Sequence, residues 1–380
     1  MASFRQAYHH KQRISKGLLR RRGIHGIGVG YRDPAAPSKG AAVIVYAEKA
    51  TASISGKPVK RRTQRQGHSV SSHTIHQYSK KYSSTKSTIP IRIVRSSRFN
   101  KNSLPSHEVT TFRRRIRPVI AGYSVGTIDS SGTAGLIVSD QCNPRSRYLL
   151  SNNHVLVNNN SAVPFETLQP GGADGGISRR DRIGFVNRFV KLSKKRSNYI
   201  DAATSKPLRR SLLKPRYAVF GIVPGFVKTY KVGDRFKKVG RTTGVVSGIV
   251  ESIHTDINVN YGEYGGLGTI QFKDQSVIRG KCPVSLSGDS GSVWLTRRGN
   301  YAAAVNFAGS DGGHLSIAYP IDWFMKVFQS RVARPCPGAL KHPNRNKTNF
   351  YMYVRPLSPQ AIKYAKSCTC RIKRKTKKRK

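Results

Sequence analysis

From residue 119 onward the sequence predicts an all-β fold, a sandwich or a barrel, and three observations carry that expectation. Short apolar, β-branched runs recur along it: TAGLIV (133–138), YLLSNN (148–153), YAVFGIV (217–223), RFKKVG (235–240), GVVSGIV (244–250), GTIQF (268–272), GSVWL (291–295) and AAAVNF (302–307). Gly, Asn, Asp and Pro separate the runs at strand-and-turn spacing. Helical periodicity is missing between them until residues 321–328 (IDWFMKVF), which read as a C-terminal helix.

The chain before this region has a different character. Phe4, Ala7, Tyr8, Ile14, Leu18 and Leu19 recur at helical spacing in a basic segment, so residues 4–20 are expected to form a short helix. Two strand-like runs follow, residues 24–31 and 42–47, with a turn at Asp33-Pro34 to Gly40. Gly26, Gly28 and Gly30 alternate without dinucleotide-motif spacing or an adjoining helix, so they mark a glycine-rich strand and not a phosphate loop. Residues 1–62 are therefore expected to be a small α/β subdomain. Residues 63–118 read as a basic, Ser/Thr-rich linker with one apolar patch at 89–94. The main domain spans 119–328, and residues 329–380 read as a basic, partly disordered tail.

Charge separates these parts further. The 380-residue chain has 69 Lys and Arg against 17 Asp and Glu, a formal net charge of +52. Residues 1–118 carry +23 of it and residues 330–380 carry +16, leaving +13 on the larger middle. Flexible arms of this composition bind nucleic acid or another polyanion through phosphate contacts, without reading sequence. A solvated tail accounts for the same composition.

Five cysteines are too few and too uneven for a disulfide framework and point to a reducing compartment, so a cytoplasmic location is expected. Neither a signal-peptide core nor a run of the ~20 apolar residues needed for a membrane span occurs. Cys368-Thr-Cys370 lacks zinc-like spacing, and no metal or cofactor is expected.

Three motifs carry chemistry: Ser151-Asn152-Asn153-His154-Val155-Leu156, then Asn198-Tyr199-Ile200-Asp201-Ala202-Ala203, then Leu286-Ser287-Gly288-Asp289-Ser290-Gly291-Ser292. Acyl transfer needs a nucleophile, a base, a group that orients the base, and donors for an oxyanion. Ser290, His154 and Asp201 suit the first three roles. The backbone N–H groups of Gly288 and Ser290 suit the fourth.

These motifs, in the order His, Asp, Ser, resemble the trypsin/chymotrypsin-like serine proteases. Together with LQPGGADGG (168–176), IGFV (183–186) and VGRTTGVVSG (239–248), they are similar to a bacterial subgroup in which a small N-terminal domain precedes the protease. The resemblance covers about residues 24–62 and 119–328. It implies a chymotrypsin-like double β-barrel and endopeptidase activity on a protein or peptide substrate. It implies further that Val284, six residues before the nucleophile, lies at the base of the primary specificity pocket, where an apolar side chain gives no reason to select Arg or Lys. By the same resemblance, Asn306, Phe307 and Ala308 pair with the substrate backbone. Arg117-Pro118-Val119-Ile120 resembles a mature N-terminus, but proline after arginine resists cleavage, so no obligatory activation cut is expected. A nucleic-acid-binding protein on an inactive protease scaffold is the competing reading, and the same triad also permits esterase activity.

Overall fold

The computed structural model describes residues 1–48, 72–81, 89–101, 110–333 and 346–371. Its first helix, Phe4–Leu18, starts from a reciprocal cap: Ser3 Oγ accepts from Gln6 N and Gln6 Oε1 accepts from Ser3 N, at 3.2 and 2.8 Å. Ala7, Ile14 and Leu18 make its apolar stripe. They pack on Ile27, Val29, Val43 and Val45 of the antiparallel hairpin Ile24–Tyr31 and Ala41–Ala47. Side chains alternate across a strand, so Gly26, Gly28 and Gly30 face away from the helix. There the chain crowds against a neighbouring strand: a Cβ on Gly28 would lie 2.3 Å from Thr255 Oγ1.

That neighbour belongs to the main domain. Six strands, Arg235–Gly240, Val293–Thr296, Ala302–Ser310, Leu315–Pro320, Thr269–Arg279 and Gly244–Asn260, pair in that order and close back on the first, forming a barrel. Phe236, Ile278, Trp294, Ala304 and Ala318 are buried within it. The 17-residue strand Gly244–Asn260 is longer than the barrel needs. Its first part pairs with Arg235–Gly240, and its second part pairs with Ile24–Tyr31, Ile27 opposite Asp256. The N-terminal hairpin is thus an extension of the barrel's own sheet. Buried ion pairs fasten it: Lys11 Nζ to Asp256 Oδ2 at 2.6 Å, and Arg92 to Glu251 at 2.6 Å.

A second sheet contains Glu166–Leu168, Arg182–Val190, Ala203–Pro207, Arg147–Ser151 and Leu136–Asp140 in that order. It curls around Ile137, Leu149, Ile183, Val186 and Phe189. The helix Ile321–Phe328 follows the last barrel strand, as its apolar pattern predicts.

The flanks are more structured than their composition suggests. The segment expected as a linker holds the helix Ser72–Lys81 and two strands; Ile91–Arg95 pairs in parallel with Ala41–Ala47. Within the expected tail, Pro359–Ser367 is a helix capped by Ser358, and Thr369–Arg371 pairs with Arg182–Val190. Composition hid this because the few apolar residues there are well placed: Val354, Leu357, Ala361 and Ala365 are all buried. The tail also reaches the first helix, where Arg355 donates to Tyr8 Oη at 3.0 Å. The most basic stretch, 372–380, lies outside the described residues. Among the described residues, no helix is long and apolar enough to cross a membrane.

Candidate active site

The strand Arg147–Ser151 runs into a single helical turn, Asn153–Leu156, which presents His154. Each asparagine of the motif has a separate task. Asn152 Nδ2 donates to the carbonyl of Asp201 at 2.6 Å, tying the His-bearing turn to the Asp-bearing loop. Asn153 is buried and donates to Asn160 Oδ1 and Val190 O, while its own oxygen accepts from Tyr264 Oη at 2.7 Å.

Asp201 is fully buried. A carboxylate in that position is tolerable only if donors surround it. Oδ1 accepts from Asn153 N at 2.6 Å and His154 N at 3.4 Å; Oδ2 accepts from His154 Nδ1 at 2.5 Å and Tyr261 Oη at 2.6 Å. With Nδ1 donating to the carboxylate, the other ring nitrogen, Nε2, is the acceptor. Tyr261 and Tyr264 come from the turn of the long barrel hairpin, and the rings stand edge-on to His154 at 5.7 and 6.4 Å. Burial, and then the Asp201 charge, push both phenols above their ordinary range, so they remain donors.

Ser290 sits across the cleft on a turn that glycine makes possible. Gly288 and Gly291 have φ of +90° and +92°, a region that favours glycine. Space is short as well: a Cβ on Gly288 would meet Arg241 Nη1 at 2.4 Å, and one on Gly291 would meet Ser151 Oγ at 2.1 Å. Between them, Asp289 turns inward and is fully buried. Its carboxylate accepts from Thr242 N, Thr243 N and Leu286 N, each at 3.0 Å, and lies 3.6 Å from the equally buried Lys238 ammonium. Burial pushes the Lys238 amine down, and Asp289 opposes that shift.

These anchors fix the directions of two peptide groups. The carbonyl of Ser287 accepts from Thr242 Oγ1, and that of Asp289 accepts from Ser292 Oγ at 2.6 Å and Asn306 Nδ2 at 3.1 Å. In a trans peptide the N–H points opposite its carbonyl, so the N–H groups of Gly288 and Ser290 point away from those anchors. Ser290 Oγ lies 3.4 Å from the carbonyl of Phe307. His154, Gly288 and Ser290 line one cavity of about 420 Å³.

The remaining expected residues fall as follows. Asn306, Phe307 and Ala308 are buried on the Ala302–Ser310 strand. Asn306 ties the Ser290 turn by accepting from Ser285 Oγ and Ser316 Oγ, and Phe307 packs on Phe272 with ring centroids 4.6 Å apart. Val284 is buried with Trp294 and Ile278 and borders a different cleft, beside Val245 and Arg279. Arg117 does not head a free segment: its guanidinium donates to the carbonyls of Gln169 and Asp181 at 3.0 and 3.2 Å.

Several residues of the site carried no sequence signal. Besides Tyr261 and Tyr264, they are Lys101 and Arg113, which line the cavity from the preceding segment; the pair Arg241–Asp174 lies in two of the motifs quoted for the resemblance but was given no role there. Asp174 lies in a glycine-rich loop and looks like an ordinary turn residue until Arg241 Nε is seen donating to it at 2.7 Å.

No family model matches the sequence, and no curated protein matches it. Solved structures are similar in part. A glutamic acid-specific serine protease is 20% identical, covering 56% of this chain and 100% of its own, with a TM-score of 0.41. A Nocardiopsis protease is 16% identical over 57% of this chain and 99% of its own (TM-score 0.40), and Thermobifida fusca protease A is 18% identical over 57% and 98% (TM-score 0.40). A curled sheet bearing the His and Asp motifs meets, at the cleft, the closed barrel bearing the Ser motif, a chymotrypsin-like β fold with a small α/β extension at the N-terminal side.

Proposed function

We propose that this chain is a serine endopeptidase with His154, Asp201 and Ser290 as its triad. One observation carries the reading: a buried, fully hydrogen-bonded Asp201 holds His154 by Nδ1, and His154 and Ser290 line the same cavity. In this reading Ser290 Oγ attacks the scissile carbonyl carbon while His154 Nε2 takes its proton. The carbonyl oxygen becomes an oxyanion that the N–H groups of Gly288 and Ser290 receive. His154 then returns the proton to the leaving amine. Water repeats the sequence on the acyl-enzyme and releases the acid. Asp201 keeps its charge throughout and stabilises the imidazolium.

The Lys238–Asp289 contact supports the expectation of activity without an activating cut, because a cation internal to the chain faces the carboxylate behind the nucleophile turn. The basic arms are proposed to hold the enzyme to nucleic acid or another polyanion, apart from the chemistry.

A fluorophosphonate probe tests the reading directly. Wild type is expected to label at Ser290, and Ser290→Ala and His154→Ala are expected not to label while remaining folded. A folded wild type that does not label overturns the proposal in favour of an inactive scaffold.

A further inference from the structure

Resting on that reading, the walls of the same cavity define what it selects. Three cations border the space in front of Ser290: Lys101, Arg113 and Arg241. The carboxylate on those walls is Asp129, which is already engaged by Asn158 Nδ2 at 3.3 Å. Arg241 is neutralised from behind by Asp174, which takes two of its N–H groups.

Lys101 is in a different condition. Its ammonium lies 4.5 Å from the centre of the Tyr264 ring, whose hydroxyl is tied into the His154 turn. The backbone fixes this position, since Lys101 N donates to Asn260 O at 3.0 Å, at the end of the strand that leads into the Tyr261–Tyr264 turn. Among the described residues, no carboxylate forms an ion pair with Lys101. The charge that acts on it is Asp201, which His154 and Tyr261 already occupy. Burial pushes the Lys101 amine down from its ordinary value, and Asp201 offsets that in part. A cation held this way, on an aromatic face and partly out of water, gains more from an incoming anion than a solvated lysine does.

We propose that the cleft selects peptides with an aspartate or glutamate side chain next to the scissile bond, received by Lys101 with Arg113 on the same wall. The assignment separates substrate from self: the chain itself holds 69 basic residues and 17 acidic ones, so an acid-selecting site finds few targets in its own arms.

The test uses the full-length protein and fluorogenic peptides that differ by Glu, Gln or Lys at one position, scanned through two residues on either side of the cleavage point. Wild type is expected to favour Glu over Gln by at least about tenfold in kcat/KM at one position or more, the order of a charge-assisted contact that is partly shielded from water. Lys101→Met keeps the aliphatic stem and is expected to bring that ratio to about 1–2. Lys101→Glu is expected to reverse the preference toward the Lys peptide. A wild type that labels with fluorophosphonate but shows equal Glu and Gln rates at every position overturns the acidic preference and leaves the endopeptidase reading standing. An unchanged Glu/Gln ratio in folded Lys101→Met overturns it as well. A wild type that neither labels nor cleaves any peptide overturns both.

Discussion

The two sides of the cleft are built by different means. On the His154 side, position comes from side chains meeting side chains: Asn152, Asn153, Tyr261 and Tyr264 converge on Asp201 and the turn that carries His154. On the Ser290 side, position comes from the backbone: two glycines at positive φ, and carbonyls whose directions are set by Thr242, Ser292 and Asn306. The first arrangement distributes its support over several hydrogen bonds, so the loss of one leaves others. The second has no such redundancy, because a peptide either points its N–H into the cleft or does not. Damage to the two sides is therefore expected to be unequal.

Gly288→Ala is the largest test of that inequality. The added methyl meets Arg241 and strains a φ of +90°, so the 287–288 peptide must turn. The fluorophosphonate labelling rate is expected to fall by about 10²–10³, the size of one lost oxyanion donor. Circular dichroism is expected to show a folded protein. A loss under tenfold would break the comparison.

On the other side, Tyr261→Phe removes one donor from Asp201 Oδ2 and leaves three, including His154 itself. A fall of about tenfold in labelling rate is expected, the lower end for a hydrogen bond to a charged group. A loss as deep as that of Gly288→Ala would mean that the side-chain network is as brittle as the turn.

A last test reads stability, not labelling rate, and concerns the hairpin that carries Tyr261. His254, on its outgoing strand, is buried against Tyr8, with the Asp274 carboxylate 3.9 Å away. Burial, then Arg355 and Lys11, push it down to about 3 from an ordinary 6.5. Between those values the unfolded chain takes up a proton that the folded chain refuses. Stability therefore falls as pH drops from about 6.5 toward 3, by at most about 1.4 kcal/mol per pH unit for this one group. Urea midpoints measured across that range are expected to show the slope in wild type and a shallower one in His254→Gln.

What the sequence disclosed follows the same division. The Ser290 turn was legible because glycine at a fixed offset from serine records a backbone requirement that no other residue meets as cheaply. The strands were legible by their short apolar, β-branched runs between turn residues, and the Phe4–Leu18 helix by its apolar spacing. Asp201 was legible through its apolar neighbours, which implied burial. Tyr261 and Tyr264 were not, because they reach His154 from more than 100 residues away, and spacing says nothing about which turn folds over which cleft. The docked part of the tail gave no clear signal for a related reason: basic residues dominate its composition, and composition does not say that Val354, Leu357, Ala361 and Ala365 all become buried. Count describes the surface, whereas placement decides the packing.

The pairing of Ile27 with Asp256 has a consequence for how the chain is made. At a synthesis rate of roughly 5–20 residues per second, about 10–45 s separate the two residues as they are made. Throughout that interval the Ile24–Tyr31 strand has a helix to cover one face but lacks its neighbour along one edge. Bare edges recruit other strands. A nascent chain of this protein therefore depends on something to occupy that edge until the long hairpin arrives, and ribosome-bound intermediates shorter than about 260 residues are where its aggregation should concentrate.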